Sequence, residues 1–362
     1  RDDVDLLVAV EVGGHAVARA VYVYDLARLG YAVGAGDVYL GLGRPSARLV
    51  RLGLPVPGHV RGLALQLLVE SDGLDGLAAA DADGLAQADT TFVAVLVDGD
   101  GVIQACRIDC VQTKIGFTAA GELTTEVGAT FDSKIVLDDA YNMRMASPIG
   151  AEWDEQANFL ADYVVGKTVD EVKGIAIDDG GKPTDADITT GCTMNIAEIL
   201  TGVENAVANA KVLGAKVGDT LNLNCCAVVS DSSKSATADA DGMAQADVTV
   251  GAYTLGADGV ISSCYLDCVQ AKIGFTAAGE PTTAVGTTFD SKLVLDDAYN
   301  MRVASPIGAE WDEQAWFFAE YCTGKTPAEV AGIALDDGGK PTDADITTGC
   351  TMNVAEMVAV IK

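Results

Sequence analysis

The sequence DDGGKPTDADITTGCTMN at residues 178–195 recurs without change at residues 336–353. Working outward from it, the same displacement of 158 positions relates ASPIGAEWDEQA at 146–157 to 304–315, KIGFTAAGE at 114–122 to 272–280, and ADADG at 80–84 to 238–242. One displacement throughout means no net insertion or deletion between the matched stretches. The period is too long for a solenoid, whose units run to about 20–50 residues. The reading is of two tandem domains, 79–203 and 237–362. Residues 204–236 read as a linker, helical over 203–212 and serine-rich over 230–235.

Within one copy, residues 91–97 are apolar and β-rich, DGDG at 98–101 signals a turn, and 102–115 pairs back as a second strand. Cys106, Ile108 and Cys110 share one face of that strand, with Arg107 and Asp109 on the other. A further strand is expected over 130–137. Residues 151–165 carry helical spacing, with Trp153, Ala157, Leu160 and Val164 on one stripe. Thr168 and Glu171 form a capping-box pattern, and Thr326-Pro327 with Glu329 repeats it with proline at the first helical position. Residues 175–177 suggest a short strand, and a last helix is expected from Met194. Hairpins followed by helices, without regular βαβ alternation, predict an α+β fold.

Residues 1–78 differ in composition. They hold seven arginines and no lysine, against three arginines and thirteen lysines in the remainder, and both histidines (His15, His59) but no cysteine. They read as β-rich, for example at 20–24, and as either a third domain or a diverged neighbour of the repeats. The most apolar N-terminal stretch, 6–24, carries Glu11, His15 and Arg19. It has neither the form of a transmembrane helix nor that of a signal peptide, so an exported form would be a mature chain.

The 53 acidic residues outnumber the 23 lysines and arginines, for a net charge of -30. Such a surface repels nucleic acid and anionic membranes. Neither histidine lies in the repeats, so no duplicated Ser-His-Asp or Cys-His arrangement exists. The nine cysteines include no Cys-x-x-Cys pair, which sets aside zinc ribbons and c-type haem. The acidic turns lack the full calcium-loop pattern and read as solvated surface, as do Asp138-Asp139 and Asp178-Asp179. Two readings of the cysteines stay open. One is strand-to-loop disulfides in an exported chain, Cys110–Cys192 and Cys268–Cys350. The other is buried free thiols that pack as small apolar groups.

The loop DITTGCT at 187–193, with its copy at 345–351, is the candidate site. Hydroxyls and a glycine ahead of a helix suit either a threonine N-cap or a phosphate held at the helix N-terminus. The loop resembles the Asp-x-x-Ser/Thr-Gly-Ala-Thr motif of FMN-binding domains, found in flavinylated electron-transfer subunits and exported tandem flavoproteins. The matching positions are Asp187, Thr190, Gly191 and Thr193, and Asp345, Thr348, Gly349 and Thr351. The resemblance implies FMN joined through a phosphoester to Thr193 and Thr351 by a dedicated transferase, an extracellular or cell-surface location, and electron relay to an unnamed redox partner. It also implies an apolar wall for the flavin, with Trp153, Trp311, Tyr141 and Tyr299 as candidates beside their plainer reading as core. Cys192 and Cys350 replace the family's alanine, and Asn195 and Asn353 stand where it has serine or threonine. The alternative is therefore a non-enzymatic cell-surface protein whose repeats have lost the cofactor and assemble head to tail into filaments.

Overall fold

The computed structural model describes residues 7–20, there as backbone alone, and residues 83–362. It is an α+β protein of four layers, helix–sheet–sheet–helix, in which both sheets are wholly antiparallel.

Among the described residues the first strands are β1 (Leu7–Ala20), β2 (Gly84–Val97) and β3 (Ile103–Phe117). β2 and β3 form the hairpin expected around the Asp-Gly turn, which Asp98 closes by accepting from the N–H groups of Asp100 and Val102. The hairpin starts earlier than residue 91 because Ala86, Ala88 and Phe92 alternate onto a buried face. β1 pairs with β2, so a strand from the compositionally distinct N-terminal segment completes the first sheet. The remainder of residues 1–78 lies outside the described residues.

The expected strand over 130–137 shortens to β4 (Thr130–Phe131) and a single helical turn, α1 (Lys134–Leu137). The reason is Ser133, whose hydroxyl accepts from the Val136 N–H and starts a helix. A 3-10 turn, Asp138–Tyr141, leads to α2 (Trp153–Val164), whose capping box pairs Glu152 with Glu155. Next come α3 (Val169–Lys173), opened by the Thr168–Glu171 capping box, and α4 (Ala186–Thr189), capped by Asp185. The stretch 175–177 makes only an isolated bridge, Ile177 to Pro183. The last helix of this half, α5 (Ala197–Ala208), begins three residues after Met194, with Asn195 Oδ1 accepting from the Ala197 N–H.

Residues 204–236 are not a free linker. They contain the end of α5, β5 (Lys211–Val212), which pairs with β1, and β6 (Thr220–Val229), a full strand of the second sheet. Leu221, Cys225, Ala227 and Val229 are buried at a period of two, and that burial gives the segment its place. The serine stretch is tied down as well: Ser233 exchanges hydrogen bonds with the Gln245 backbone, and Ser230 accepts from the Gln245 side chain.

β7 (Gly242–Leu255), β8 (Ile261–Phe275), α6 (Lys292–Leu295), a 3-10 turn (Asp296–Tyr299), α7 (Trp311–Cys322), α8 (Pro327–Ala331), α9 (Ala344–Thr347) and α10 (Ala355–Ala359) then follow the element order of the first half. The sheet orders are β3-β2-β1-β5 and β4-β6-β7-β8, so β4 crosses from the first half to pair with β6.

Three cores result. Between the sheets, Ala86, Ala88, Phe92, Ala94 and Leu96 meet Ala244, Ala246, Val248, Val250 and Ala252. Small side chains there let the sheets lie close, at the roughly 10 Å spacing of packed sheets. On the outer faces α2 and α5 cover one sheet, and α7 and α10 cover the other. Both faces of the hairpins are thereby buried, which explains the near-continuous apolar run 92–97. Among the described residues no helix is long and apolar enough to cross a membrane.

Candidate functional site

Each threonine loop leaves its short helix and runs along the first two turns of the long helix that covers the sheet. Gly191 makes that approach possible: a Cβ there would sit 2.2 Å from Phe159 Cδ2, and one at Gly349 would sit equally close to Phe317. Ile188 is fully buried beneath the loop, while Asp187 and Thr190 are exposed.

The three hydroxyls of the loop are not equivalent. Thr189 and Thr190 donate back to the carbonyls of Ala186 and Asp187. Thr193, half-buried, sends its backbone N–H (2.8 Å) and its hydroxyl (3.3 Å) to the same acceptor, Gln156 Oε1. Gln156 is fully buried on α2, and its amide nitrogen donates to Ser147 Oγ and to the Ala151 carbonyl. The second half repeats this with Thr351, Gln314, Ser305 and Ala309. The backbone donors of the loop are consumed internally, since Gly191 and Cys192 both bond to the Ile188 carbonyl. Thr193 therefore precedes the start of α5 instead of occupying its first turn. Gln156 and Gln314 were not singled out from sequence. The available signal was their place in the duplicated ASPIGAEWDEQA stretch, a polar residue one position before the apolar stripe at Ala157.

Cys192 and Cys350 are fully buried and point into the helix–sheet core, away from the surface that carries Thr193 and Thr351. A thiol in place of the family's alanine thus leaves the outer face of the loop unobstructed. Asn195 and Asn353 stand just before the N-caps of the final helices, where their Oδ1 atoms accept from the Ala197 and Ala355 N–H groups, a bond that a serine or threonine oxygen could also accept.

Trp153 and Tyr141 do not form an open wall. They enclose Lys134, whose Nζ lies 4.8 Å from the Tyr141 ring centre and 5.1 Å from that of Trp153; Lys292 sits in the same way against Tyr299 and Trp311. Such ammonium–ring contacts strengthen where water is excluded. Burial opposes the charge of Lys134, but the neighbouring Cys110, Tyr141 and Asp89 outweigh it and hold the group up at about 12. The aromatics that remain open beside the loop are Phe159 and Tyr163, one turn apart on α2, with Lys167 over the Tyr163 ring at 4.1 Å. In the second half Tyr321 and Lys325 border a cleft of about 390 Å³ whose lining includes Glu329, Ile333, Asp343 and Ile346. Partial burial, with the charges of Asp185 and Asp187, raises the Tyr163 hydroxyl above the usual phenol range.

All nine cysteines are free thiols, so the pairings Cys110–Cys192 and Cys268–Cys350 are not formed. These side chains lie in the cores as small apolar groups, and burial pushes Cys110, Cys192, Cys268 and Cys350 up to about 11. Thiols held this far from ionisation are poor nucleophiles. Titration with a thiol reagent is expected to find little reactivity in the native protein, with half-buried Cys226 first to react, and nine thiols after unfolding without reductant. A denatured count below nine would show that disulfides form. Among the described residues, no three His, Cys, Asp or Glu side chains converge as metal ligands.

Thr193 and Thr351 each present a hydroxyl placed to take a phosphoester. In both halves the hydroxyl is half-buried with its oxygen held in place, the intervening cysteine turns inward, and an aromatic and a lysine stand beside the loop. Its phosphate would meet no helix first turn, and the exposed Asp185 and Asp187 make its surroundings acidic.

No family model matches the chain, and no solved structure matches it. Over 85 residues the chain is 36% identical to the chlorophenol reductase of Desulfitobacterium hafniense, a match that covers 20% of this chain and 26% of that protein, so about a quarter of that relative's length is shared.

Proposed function

We propose that the protein is an exported electron carrier that holds one FMN in each half through Thr193 and Thr351. The observation that carries this reading is the duplicated setting of those two threonines: hydroxyl fixed on a buried glutamine, with an open tyrosine–lysine pair about two turns farther along the same helix. When bound, FMN would supply the redox chemistry. The chain's own part is to anchor the phosphate end at the threonine and to offer Tyr163 with Lys167, and Tyr321 with Lys325, to the ring system. Chlorophenol as a substrate forms no part of the proposal, because only a short segment is shared with that reductase.

A second reading, a cell-surface protein that assembles head to tail, has its own observation. Met145 is 88% exposed and Val303, at the matching position, 85%. Each sits in a loop held rigid by an arginine: Arg144 bonds Asp139, Glu155 and the Gly150 carbonyl, and Arg302 does the same with Asp297, Glu313 and Gly308. A loop so braced, with an apolar residue at its tip, presents the same contact twice per chain.

The deciding measurement is the absorption spectrum and intact mass of the protein purified from its native host. The proposal expects flavin bands and the added mass of two FMN groups, each less one water, lost singly in Thr193→Val and Thr351→Val. A colourless protein with the mass of the bare chain, forming concentration-dependent fibres that Met145→Asp and Val303→Asp abolish, would replace the first reading with the second.

A further inference from the structure

We infer that Gln156 and Gln314 are positioning residues that determine which threonine hydroxyl of each loop is modified. The inference rests on the reading that a phosphoester forms there.

Each loop offers three threonines of identical chemistry, none of them fully buried, so something besides the hydroxyl must select one. Thr189 and Thr190 have their hydroxyl protons on carbonyls three residues back, an arrangement available to any threonine in a helical turn. Thr193 alone is gripped by a side chain from another element. Its N–H and O–H converge on one oxygen, which ties the backbone and Oγ to a common point and fixes χ1. The amide of Gln156 cannot turn round, because both of its N–H groups are committed, one to Ser147 Oγ at 3.2 Å and one to the Ala151 carbonyl at 3.1 Å. Full burial removes water as a competing partner. With its proton drawn inward onto Gln156, Thr193 Oγ turns its free lone pairs outward, the direction from which a phosphoryl group must come.

In the modification step, Oγ forms a bond to phosphorus as the phosphoanhydride bond of an activated FMN donor breaks. The bond pair leaves on the departing phosphate oxygen, and the threonine proton passes to that phosphate or to solvent. Nothing is oxidised or reduced. An amide oxygen is too weak a base to keep the proton, so Gln156 acts through Thr193 and takes no part in the bond changes. The same geometry at Thr351, with distances of 2.8 and 3.3 Å to Gln314, makes each half an internal reference for the other.

The test uses the full chain with Gln156→Met, which keeps side-chain length but loses both the acceptor and the donors, and Gln156→Glu. A glutamic acid kept neutral by burial retains a carbonyl acceptor for Thr193 and one O–H donor. Peptide mapping after exposure to the native host's modifying machinery reads FMN at Thr193 against Thr351. Loss of one productive hydrogen bond is worth about ten-fold. Gln156→Met is therefore expected to lower occupancy at Thr193 about ten-fold or more, or to move it to Thr190, with Thr351 unchanged, and Gln156→Glu to restore it. Equal FMN at both threonines in Gln156→Met overturns the inference and leaves the flavin reading intact. Absence of FMN from both threonines of the unaltered protein overturns the flavin reading, and the role of Gln156 is then read by NMR. A single Thr193 χ1 rotamer and a slowly exchanging Thr193 amide, both lost in Gln156→Met while Thr351 keeps them, uphold the positioning. An unchanged Thr193 amide overturns it.

Discussion

Phe117→Ala is expected to destabilise both halves of the protein together, by about 3–5 kcal/mol, the usual cost of removing a fully buried phenylalanine. Phe117 ends the first hairpin and Phe275 ends the second. Their rings stack across the gap between the sheets with centres 4.3 Å apart and planes 6° from parallel. Both are almost completely buried. Each ring also lies flat over a glycine of its own hairpin: a Cβ at Gly84 would fall 2.4 Å from Phe117 Cε2, and one at Gly242 2.3 Å from Phe275 Cε2. With a glycine on one side of each ring, no side chain on that side can fill the cavity left by truncation. The contact joins residues 158 positions apart, so its loss acts on the association of the two sheets. A Trp153→Phe background confines tryptophan fluorescence to Trp311 and Trp316 in the second half. Phe117→Ala in the first half should lower the denaturation midpoint that those two residues report. A second-half midpoint that does not move would mean that the halves unfold independently.

Some of this structure could be read from the sequence, and the reasons for the rest are local. The duplication gave the hairpin, the long helix and the two capping boxes, because each rests on side chains near in sequence: Asp98 in its turn, Glu171 reaching back to Thr168. The association of the sheets had no such signal. The alternation at Leu221, Cys225, Ala227 and Val229 was present but was outweighed by the serines that follow, which look like linker until Gln245 is seen to bind them. The same difficulty hid the contact that holds Thr193. The threonine loop is conspicuous by itself, yet its partner Gln156 lies 37 residues away and is specified only by the packing of α2 on the sheet. Trp153 and Trp311 follow the plainer of their two readings and pack in the cores, but no pattern in sequence announces that Lys134 is buried between Tyr141 and Trp153. Asp109, read simply as the other face of a strand, lies between the sheets and accepts from the Cys225 thiol at 3.4 Å.

The counterpart of Asp109 in the second half supplies the other large effect. Asp267 is buried on β8, where its Oδ1 accepts from the backbone N–H groups of Cys268 (2.7 Å) and Leu293 (3.2 Å). Burial raises its carboxyl from 3.8 to about 7, against the opposing pull of Ser291, those two N–H groups and Lys292. Below pH 3.8 the group is protonated folded and unfolded alike and contributes nothing to pH dependence. Between 3.8 and 7 the folded protein retains a proton that the unfolded chain has released, so stability falls as pH rises. Above about 7 the carboxylate is charged in both states and the whole cost of burying it is present. That cost is on the order of 4 kcal/mol, since each tenfold change in proton affinity is worth about 1.4 kcal/mol. Asp267→Asn keeps an oxygen for the two backbone donors, can donate to Ser291 Oγ in place of accepting from it, and removes the ionisation. It is therefore expected to stabilise the protein by a few kcal/mol at about pH 8, to leave it nearly unchanged at about pH 4, and to flatten the decline between them. Urea unfolding across that range measures all three. Equal stability of the two proteins at the higher pH, or equal destabilisation by the substitution at both pH values, would mean that Asp267 ionises without penalty. The carboxyl would then owe its place on β8 to the two backbone N–H groups alone.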